Sequence, residues 1–300
     1  MKLLRTHIGN LELERPGAVA SGIMDETGDS MKRMLKLGAG AVVTKSIGSE
    51  RREGHGNPSL IEYSFGYVNA MGLPNPGIDN FREEIETTAK EGIVIGSVFA
   101  SSPKEFSELA EKMELYGASA VELNLSCPHA SGYGMETGVD AKIVHKIVSA
   151  VKDSVKIPVH AKLTPNTHIL TDIGKAVQDA GGDAIVAINT IRAMSISPEF
   201  RRPVLSNRFG GLSGPALKPV GVRAVYDLYS VLDIPLVGVG GICDHRDALE
   251  YIMAGACAFQ VGSAVGKDIG VFKKINKGLE NFMKEFGYSS IEKMVGAAHE

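Results

Sequence analysis

The chain has 300 residues, 44% of them apolar, and its 32 basic and 35 acidic residues give a formal net charge of −3. This length and apolar content are enough for one enzyme-sized domain. The near balance of charge, without a run of like charges, argues against nucleic acid or an anionic membrane as a partner. No stretch approaches the roughly 18 apolar residues of a membrane span, and the N-terminus lacks a signal-peptide pattern. We therefore expect a soluble, cytoplasmic protein.

From the N-terminus, the segment RTHIGNLELERP predicts a hairpin that turns at Gly9 and Asn10. After it, short apolar runs alternate with longer amphipathic stretches, which is typical of repeated βα units and a parallel sheet. Eight strands are predicted, at residues 18–22, 41–45, 94–99, 120–125, 159–163, 184–189, 236–239 and 259–262. Eight is the number that closes a TIM barrel. The predicted fold is thus an α/β, (β/α)8 TIM barrel, with residues 1–300 as a single domain and the hairpin closing its bottom.

Helices are predicted between these strands, at residues 104–116, 141–151, 169–180, 219–232, 246–254 and 271–286. Gly117, Gly181 and Gly255 end three of them, as helix stops commonly do. Two inserts interrupt the alternation, at residues 48–77 and 191–214. Because both follow predicted strands, they are expected at the C-terminal face of the barrel, where barrel active sites lie.

The three cysteines, Cys127, Cys243 and Cys257, are widely spaced and form no CxxC pattern. No disulfide framework, iron–sulfur cluster or metal site is therefore expected within the chain. We interpret Cys243 and Cys257 as structural residues.

Eight polar segments follow the predicted strands and contain more polar residues than packing requires. They are TKS (44–46), NAMGLPN (69–75), ELNLSCPH (122–129), AKLTPN (161–166), AINT (187–190), GGLSGPALKP (210–219), GVGGI (238–242) and QVGSA (260–264). Together they resemble the dihydroorotate dehydrogenase family over residues 16 to 265. The segments NAMGLPNPG, KLTPN and GGLSGPALKP are most similar to its class 1B, the NAD-linked heteromeric branch, including archaeal members.

The resemblance implies oxidation of (S)-dihydroorotate to orotate on FMN, in de novo pyrimidine biosynthesis. This reaction removes a proton from C5 and a hydride from C6, so the site needs a base on one side of the substrate and the flavin N5 on the other. Cys127 matches the family's base; a thiol with an ordinary pKa near 8.5 needs electropositive help for that role. The alternative is a small buried core cysteine.

The resemblance also implies a set of substrate-binding residues. Asparagine amides present both a donor and an acceptor, which suits a cyclic ureide, although an isolated asparagine is more often a turn residue. The predicted substrate-binding residues are Lys45, Asn69, Ala70, Met71, Gly72, Leu73, Asn124, Asn189 and Thr190.

For the cofactor, the resemblance implies a flavin wall and a phosphate cradle in which glycines after strands let backbone N–H groups approach the ligand. Lys162 corresponds to the family's cation near the flavin N1 and C2 carbonyl. The alternatives are turn glycines and lysines that extend to the rim. The predicted cofactor-binding residues are Ala20, Ser21, Gly22, Lys45, Ser46, Ser97, Asn124, Lys162, Ile188, Gly214, Gly240, Gly241, Gly262 and Ser263.

Two positions depart from the family pattern. His129 stands where the family usually has Asn, and Ser97 stands where an Asn commonly reaches the flavin. His129 is interpreted either as a contact of the substrate carboxylate or as a rim residue.

The chain has no cluster cysteines and no GxGxxG fingerprint, so direct transfer to NAD is not expected from it alone. The resemblance implies a homodimeric core and a partner subunit with FAD and a 2Fe–2S cluster, whereas another cytosolic branch uses fumarate. Two other functions stay open: a related FMN barrel acting on a dihydropyrimidine or dihydrouridine substrate, and a barrel that binds a phosphorylated ligand without redox chemistry.

Overall fold

The structure, a computed structural model, describes residues 2–125 and 137–299. Its strands, numbered in chain order, are β1 (Thr6–Ile8), β2 (Leu11–Leu13), β3 (Gly17–Val19), β4 (Ala41–Val43), β5 (Leu60–Tyr63), β6 (Gly66–Asn69), β7 (Ile93–Val98), β8 (Ala120–Asn124), β9 (Val159–Leu163), β10 (Ala184–Ala187), β11 (Ile191–Met194), β12 (Ile196–Ser197), β13 (Arg202–Pro203), β14 (Phe209–Ser213), β15 (Leu236–Val239) and β16 (Ala256–Val261).

The α-helices of the described residues are α1 (Gly28–Lys36), α2 (Arg82–Ala89), α3 (Pro103–Leu115), α4 (Ala141–Ser154), α5 (Leu170–Asp179), α6 (Lys218–Tyr229), α7 (His245–Met253), α8 (Ser263–Lys267) and α9 (Val271–Phe286). Gly117 and Gly255, which follow α3 and α7, have φ angles of 96° and 122°. Such left-handed angles suit glycine, and both residues act as the predicted helix stops. Within the described residues, no helix has the length and apolar character needed to cross a membrane.

Eight parallel strands form a closed barrel in the order β10-β15-β16-β3-β4-β7-β8-β9. Surrounding helices complete the predicted TIM-barrel architecture, so the predicted fold class is confirmed. Each of the eight strands lies where the sequence predicts one. The strands predicted at 18–22, 41–45 and 184–189 end earlier, at Val19, Val43 and Ala187. The residues that follow these three ends leave the sheet and form loops at its C-terminal rim.

The predicted hairpin is formed by β1 and β2, with Ile8 opposite Leu11 across the turn. Ile8 and Leu13 are buried in the same apolar cluster as the inward-facing Ala18, Ala120 and other small residues of the barrel. The Thr6 hydroxyl donates to the Cys257 carbonyl, at the start of β16, over 2.6 Å. The hairpin therefore closes the N-terminal end of the barrel, which leaves the opposite end as the open one.

The two inserts form one antiparallel sheet in the order β11-β14-β6-β5. The first insert contributes β5 and β6 and the second contributes β11 and β14, and β6 pairs with β14 through Asn69 opposite Gly211. Gly66 and Gly214 make this pairing possible, because a Cβ on Gly214 would lie 2.6 Å from the Gly66 Cα. The sheet thus joins both inserts above the C-terminal rim.

Candidate active site

A cavity of about 730 Å³ opens at the C-terminal ends of the barrel strands. Loops after the barrel strands form its floor and sides, and the sheet of the two inserts forms its roof. With one exception, every predicted site residue in the described part of the chain lines this cavity. The exception is Ser97, which is fully buried in β7. Cys127 and His129 lie outside the described residues.

Ser97 lies directly behind the cavity wall. Its hydroxyl is 2.9 Å from that of Ser46, which in turn lies 3.2 Å from the Ser21 hydroxyl. The Asn124 amide donates to the Ser46 hydroxyl over 3.1 Å. Ser97 therefore supports Ser46, and of these two residues only Ser46 lines the cavity.

The three predicted asparagines converge on the cavity from different elements. The Asn189 amide donates to the Asn124 side-chain oxygen over 3.4 Å, which links the ends of β10 and β8. Asn69, at the end of β6, donates to the Gly211 carbonyl over 3.4 Å. The barrel thus positions two of these amides and the roof sheet positions the third.

The segment 70–73 is held against the cavity by the first insert. His55 donates its backbone N–H to the Met71 carbonyl over 2.9 Å, and its ring Nδ1 lies 3.2 Å from the Ala70 carbonyl. Gly72 has a φ of 76°, and a Cβ there would lie 2.7 Å from the His55 nitrogen. Asn75 anchors the end of the segment, since its amide donates to the Leu73 carbonyl over 3.0 Å.

Lys45 follows β4, and its ammonium lies 3.3 Å from a carboxylate oxygen of Glu26. Asp25, next to Glu26, is fully buried and accepts a hydrogen bond from the Gly22 N–H on the cavity wall. Burial raises the pKa of Asp25 to about 6, although the Gly22 hydrogen bond and the nearby Lys45 charge act in the opposite direction. The loop 20–25 thus forms part of the cavity wall and also contains Asp25, a buried carboxyl group with a pKa of about 6.

Glycines leave the wall of the cavity free of side chains. A Cβ on Gly22 would meet nothing within 4 Å, and one on Gly262 would meet only the Ala20 methyl, at 3.6 Å. Both positions line the cavity, so a side chain there would occupy its space. Gly240 and Gly241 have φ angles of 128° and 71° and turn the chain sharply after β15.

Below the cavity, the barrel interior contains a buried polar cluster. The Lys162 ammonium lies 3.4 Å from Glu122 Oε1 and donates to Gln260 Oε1 over 3.4 Å. The Gln260 amide donates to Glu122 Oε2 over 2.6 Å. Nearby His160 is fully buried, and burial lowers its pKa to about 4, which keeps the ring neutral. Lys162 is the member of this cluster that lines the cavity.

Several other polar residues, not predicted from the sequence, also line the cavity, and most of them lie on the two inserts: Arg52, His55, Tyr67, Asn166, Arg192, Asn207 and Ser213. The position of the two inserts after strand C-termini predicted that they lie near the site. It did not predict which of their side chains line the cavity. Asn166 links two loops, because its amide donates to the Thr190 carbonyl over 3.2 Å and its oxygen accepts from the Arg192 N–H over 3.0 Å.

The arrangement suits an anionic, polar ligand. Two ammonium groups, Lys45 and Lys162, border the cavity and favour negative charge there. The asparagine amides and backbone groups offer both donors and acceptors. Within residues 2–125 and 137–299, no group of three or more His, Cys, Asp or Glu side chains is placed to hold a metal ion.

Comparison with known proteins gives a consistent result over nearly the whole chain. The sequence profile of the family described as dihydroorotate dehydrogenase matches residues 3–283. A protein of Methanocella arvoryzae named dihydroorotate dehydrogenase B (NAD(+)), catalytic subunit, is 51% identical over 97% of this chain and 96% of its own length. Proteins of the same name from Methanocaldococcus jannaschii and Pyrococcus furiosus are each 49% identical, over 99% and 98% of both chains.

The buried carboxyl of Asp25 predicts a pH-dependent effect of the Asp25→Asn substitution. The pKa of Asp25 is raised from 3.8 to about 6 in the folded protein. Between these two pH values the folded protein binds more protons at Asp25 than the unfolded chain does. The contribution of Asp25 to stability is therefore lost as pH rises through 6. The amide keeps an oxygen for the Gly22 N–H but carries no charge. We therefore expect the free energy of unfolding of the variant, relative to that of wild type, to rise by on the order of 1 kcal/mol between pH 5 and pH 8. Urea unfolding at the two pH values measures this difference.

The control for this measurement is Asp153→Asn, which makes the same change at an exposed position of α4. Equal gains in the two variants between pH 5 and pH 8 would contradict the assignment to Asp25.

Proposed function

The chain belongs to the dihydroorotate dehydrogenase family, and from that premise we propose that it oxidises (S)-dihydroorotate to orotate on FMN, as a step of de novo pyrimidine biosynthesis. The observation that carries this proposal is the cavity at the C-terminal rim of the barrel. Two lysines, three asparagines and side-chain-free glycine walls meet there in one space of about 730 Å³. That space is within the range of cofactor and small-molecule sites.

FMN fits the side of the cavity formed by the loops after β3, β15 and β16. The open faces of Gly22 and Gly262 would admit a ligand to the backbone, and Gly214, Gly240, Gly241 and Ser263 border the same region. We assign the phosphate to this region, because backbone N–H groups without neighbouring side chains suit it. Lys162 would face the pyrimidine edge of the flavin. Bound there, FMN supplies the hydride acceptor.

The substrate is assigned to the side of the cavity below the roof sheet. Asn69, Asn124 and Asn189 offer donors and acceptors to the cyclic ureide, with the Thr190 hydroxyl beside them. Lys45 offers its ammonium to the carboxylate, and residues 70–73 offer backbone groups. These contacts would hold the ring in one orientation, with its reacting carbon atoms between the flavin and the base.

We assign the general base to Cys127, which lies outside the described residues. It is three positions beyond Asn124, the last residue of β8, whose side chain borders the cavity. In the proposed reaction the Cys127 thiolate takes the proton from C5, and bound FMN would accept the hydride from C6, so that a C5–C6 double bond would form. The thiolate becomes a thiol and then releases its proton to solvent.

We further propose that electrons leave through a second subunit. The relatives are named as NAD(+)-linked catalytic subunits, which implies a separate electron-transfer subunit. The chain itself has three cysteines and no GxGxxG segment, too little for a cluster and a nicotinamide domain of its own. A partner with FAD and a 2Fe–2S cluster, docked on a homodimeric core, would supply both. Fumarate is the alternative acceptor.

Replacing Cys127 with Ala should slow flavin reduction by dihydroorotate by about 10²–10⁴-fold, the usual effect of losing a general base. The variant should keep its flavin and its affinity for orotate. Stopped-flow bleaching of the flavin under anaerobic conditions measures the rate, and Cys243→Ala, a change at an exposed cysteine, is the control. Reduction of the Cys127→Ala protein at the wild-type rate across the pH range would remove Cys127 from this role.

A Gly262→Ala substitution should weaken FMN binding by at least tenfold, because the added methyl projects into the proposed cofactor space while its nearest protein atom is 3.6 Å away. Flavin release followed by fluorescence measures the affinity, and thermal unfolding of the apoprotein reports whether the fold is intact. Gly56→Ala is the matched control, since a Cβ there would meet nothing within 4 Å and Gly56 does not line the cavity. Equal FMN affinity in both variants would place the cofactor elsewhere.

The purified chain alone should oxidise dihydroorotate with artificial dyes and reduce NAD poorly. Flavin bleached by dihydroorotate is mixed with NAD, with fumarate, or with NAD plus the candidate partner, and its reoxidation is followed. Rapid reoxidation by NAD alone would refute the partner model, and rapid reoxidation by fumarate would assign the chain to the other cytosolic branch.

A further inference from the structure

The polar cluster in the barrel spans the full width of the interior. Glu122 lies on β8 and Gln260 on β16, and these two strands are four positions apart around the eight-stranded barrel in either direction. Their side chains are nevertheless hydrogen-bonded over 2.6 Å. A contact between opposite strands has to cross the interior. The pair therefore lies on the axis of the barrel, above the apolar layer that the hairpin closes.

Lys162 stands between this pair and the cavity. Its side chain is 8% exposed, whereas that of Glu122 is 0% exposed. The ammonium thus has the cavity on one side and the Glu122 carboxylate on the other. Gln260 contacts both partners, since its oxygen accepts from Lys162 while its amide donates to Glu122. The three groups form a closed triangle that holds the ammonium in one place.

No other described group makes an ion pair with Lys162. His160, two residues earlier on β9, is kept neutral by a pKa lowered to about 4. Lys45, the other ammonium of the cavity, has its own partner in Glu26. The negative charge of Glu122 offsets part of the positive potential of Lys162 in the cavity. Without Glu122, the Lys162 ammonium would be a buried charge with no counter-charge among the described residues.

We propose that Glu122 is a positioning residue for the reaction: it fixes the Lys162 ammonium beneath the cavity and offsets part of its charge. This inference rests on the proposed function, in which Lys162 faces the flavin. A cation at that edge stabilises the negative charge of the reduced ring. By offsetting part of this positive charge, Glu122 would lower the reduction potential of the flavin and so favour electron transfer to the next carrier.

The test is Glu122→Gln, which keeps the shape and hydrogen-bonding atoms of the side chain and removes its charge. At pH 6.5 the ratio of reduced to oxidised flavin at a fixed dye potential should rise at least tenfold, equivalent to about 30 mV for a two-electron couple. In a Lys162→Met background the same substitution should change the ratio by a smaller factor than in the wild-type background, because Glu122 then has no ammonium to position. Glu108→Gln, at an exposed ion pair on α3, is the control.

A change below twofold in Glu122→Gln, a fall in the ratio, or an equal change in both backgrounds would overturn the proposal. The apoprotein gives a measure that does not depend on flavin. In urea unfolding, Glu122→Gln should lower the folding equilibrium constant at least tenfold more in the wild-type background than in Lys162→Met. Equal effects there would show that Glu122 does not hold Lys162. If the apoprotein shows this coupling but the chain binds no FMN, the proposed function fails and the contact between Glu122 and Lys162 stands.

Discussion

Closure of eight parallel strands into a barrel is the constraint on which the rest of this structure depends. It brings every strand C-terminus to one rim, so that residues distant in the chain, such as Ser21, Lys45, Asn124 and Asn189, border one cavity. The opposite end is filled by small inward-facing residues and capped by the hairpin residues Ile8 and Leu13. The barrel is therefore apolar and closed at one end and polar and open at the other.

The roof of the cavity depends on a second constraint, the pairing of the two inserts. Strands β6 and β14 are more than 100 positions apart in sequence, yet their antiparallel pairing sets the position of Asn69 and of the segment that follows it. His55, which lines the cavity, and Asn75, which does not, hold this segment through hydrogen bonds to the Ala70 and Leu73 carbonyls. The inserts thus act together and do not form two independent loops.

The two lysines of the cavity are balanced in different ways. The Lys45 ammonium meets Glu26, whose side chain is 68% exposed, so solvent weakens that pair. Lys162 meets Glu122 in the interior of the barrel, where water does not screen the interaction. Of these two lysines, one therefore has a solvent-exposed carboxylate as its partner and the other a fully buried one. This difference suits a site in which one lysine binds a substrate and the other influences a cofactor.

Local patterns in the sequence are sufficient to predict the eight barrel strands, the hairpin, the glycine helix stops and the positions of the polar segments after the strands, because each depends on the periodicity or conformational preference of a few neighbouring residues. The family resemblance adds roles for residues in those segments. The pairing of β6 with β14, the position of Ser97 behind Ser46 and the contact of Glu122 with Gln260 could not be predicted in this way. Each joins residues from elements distant in sequence. Their distances depend on the order of strands around the barrel and on how the inserts pack over its rim, which are properties of the assembled fold.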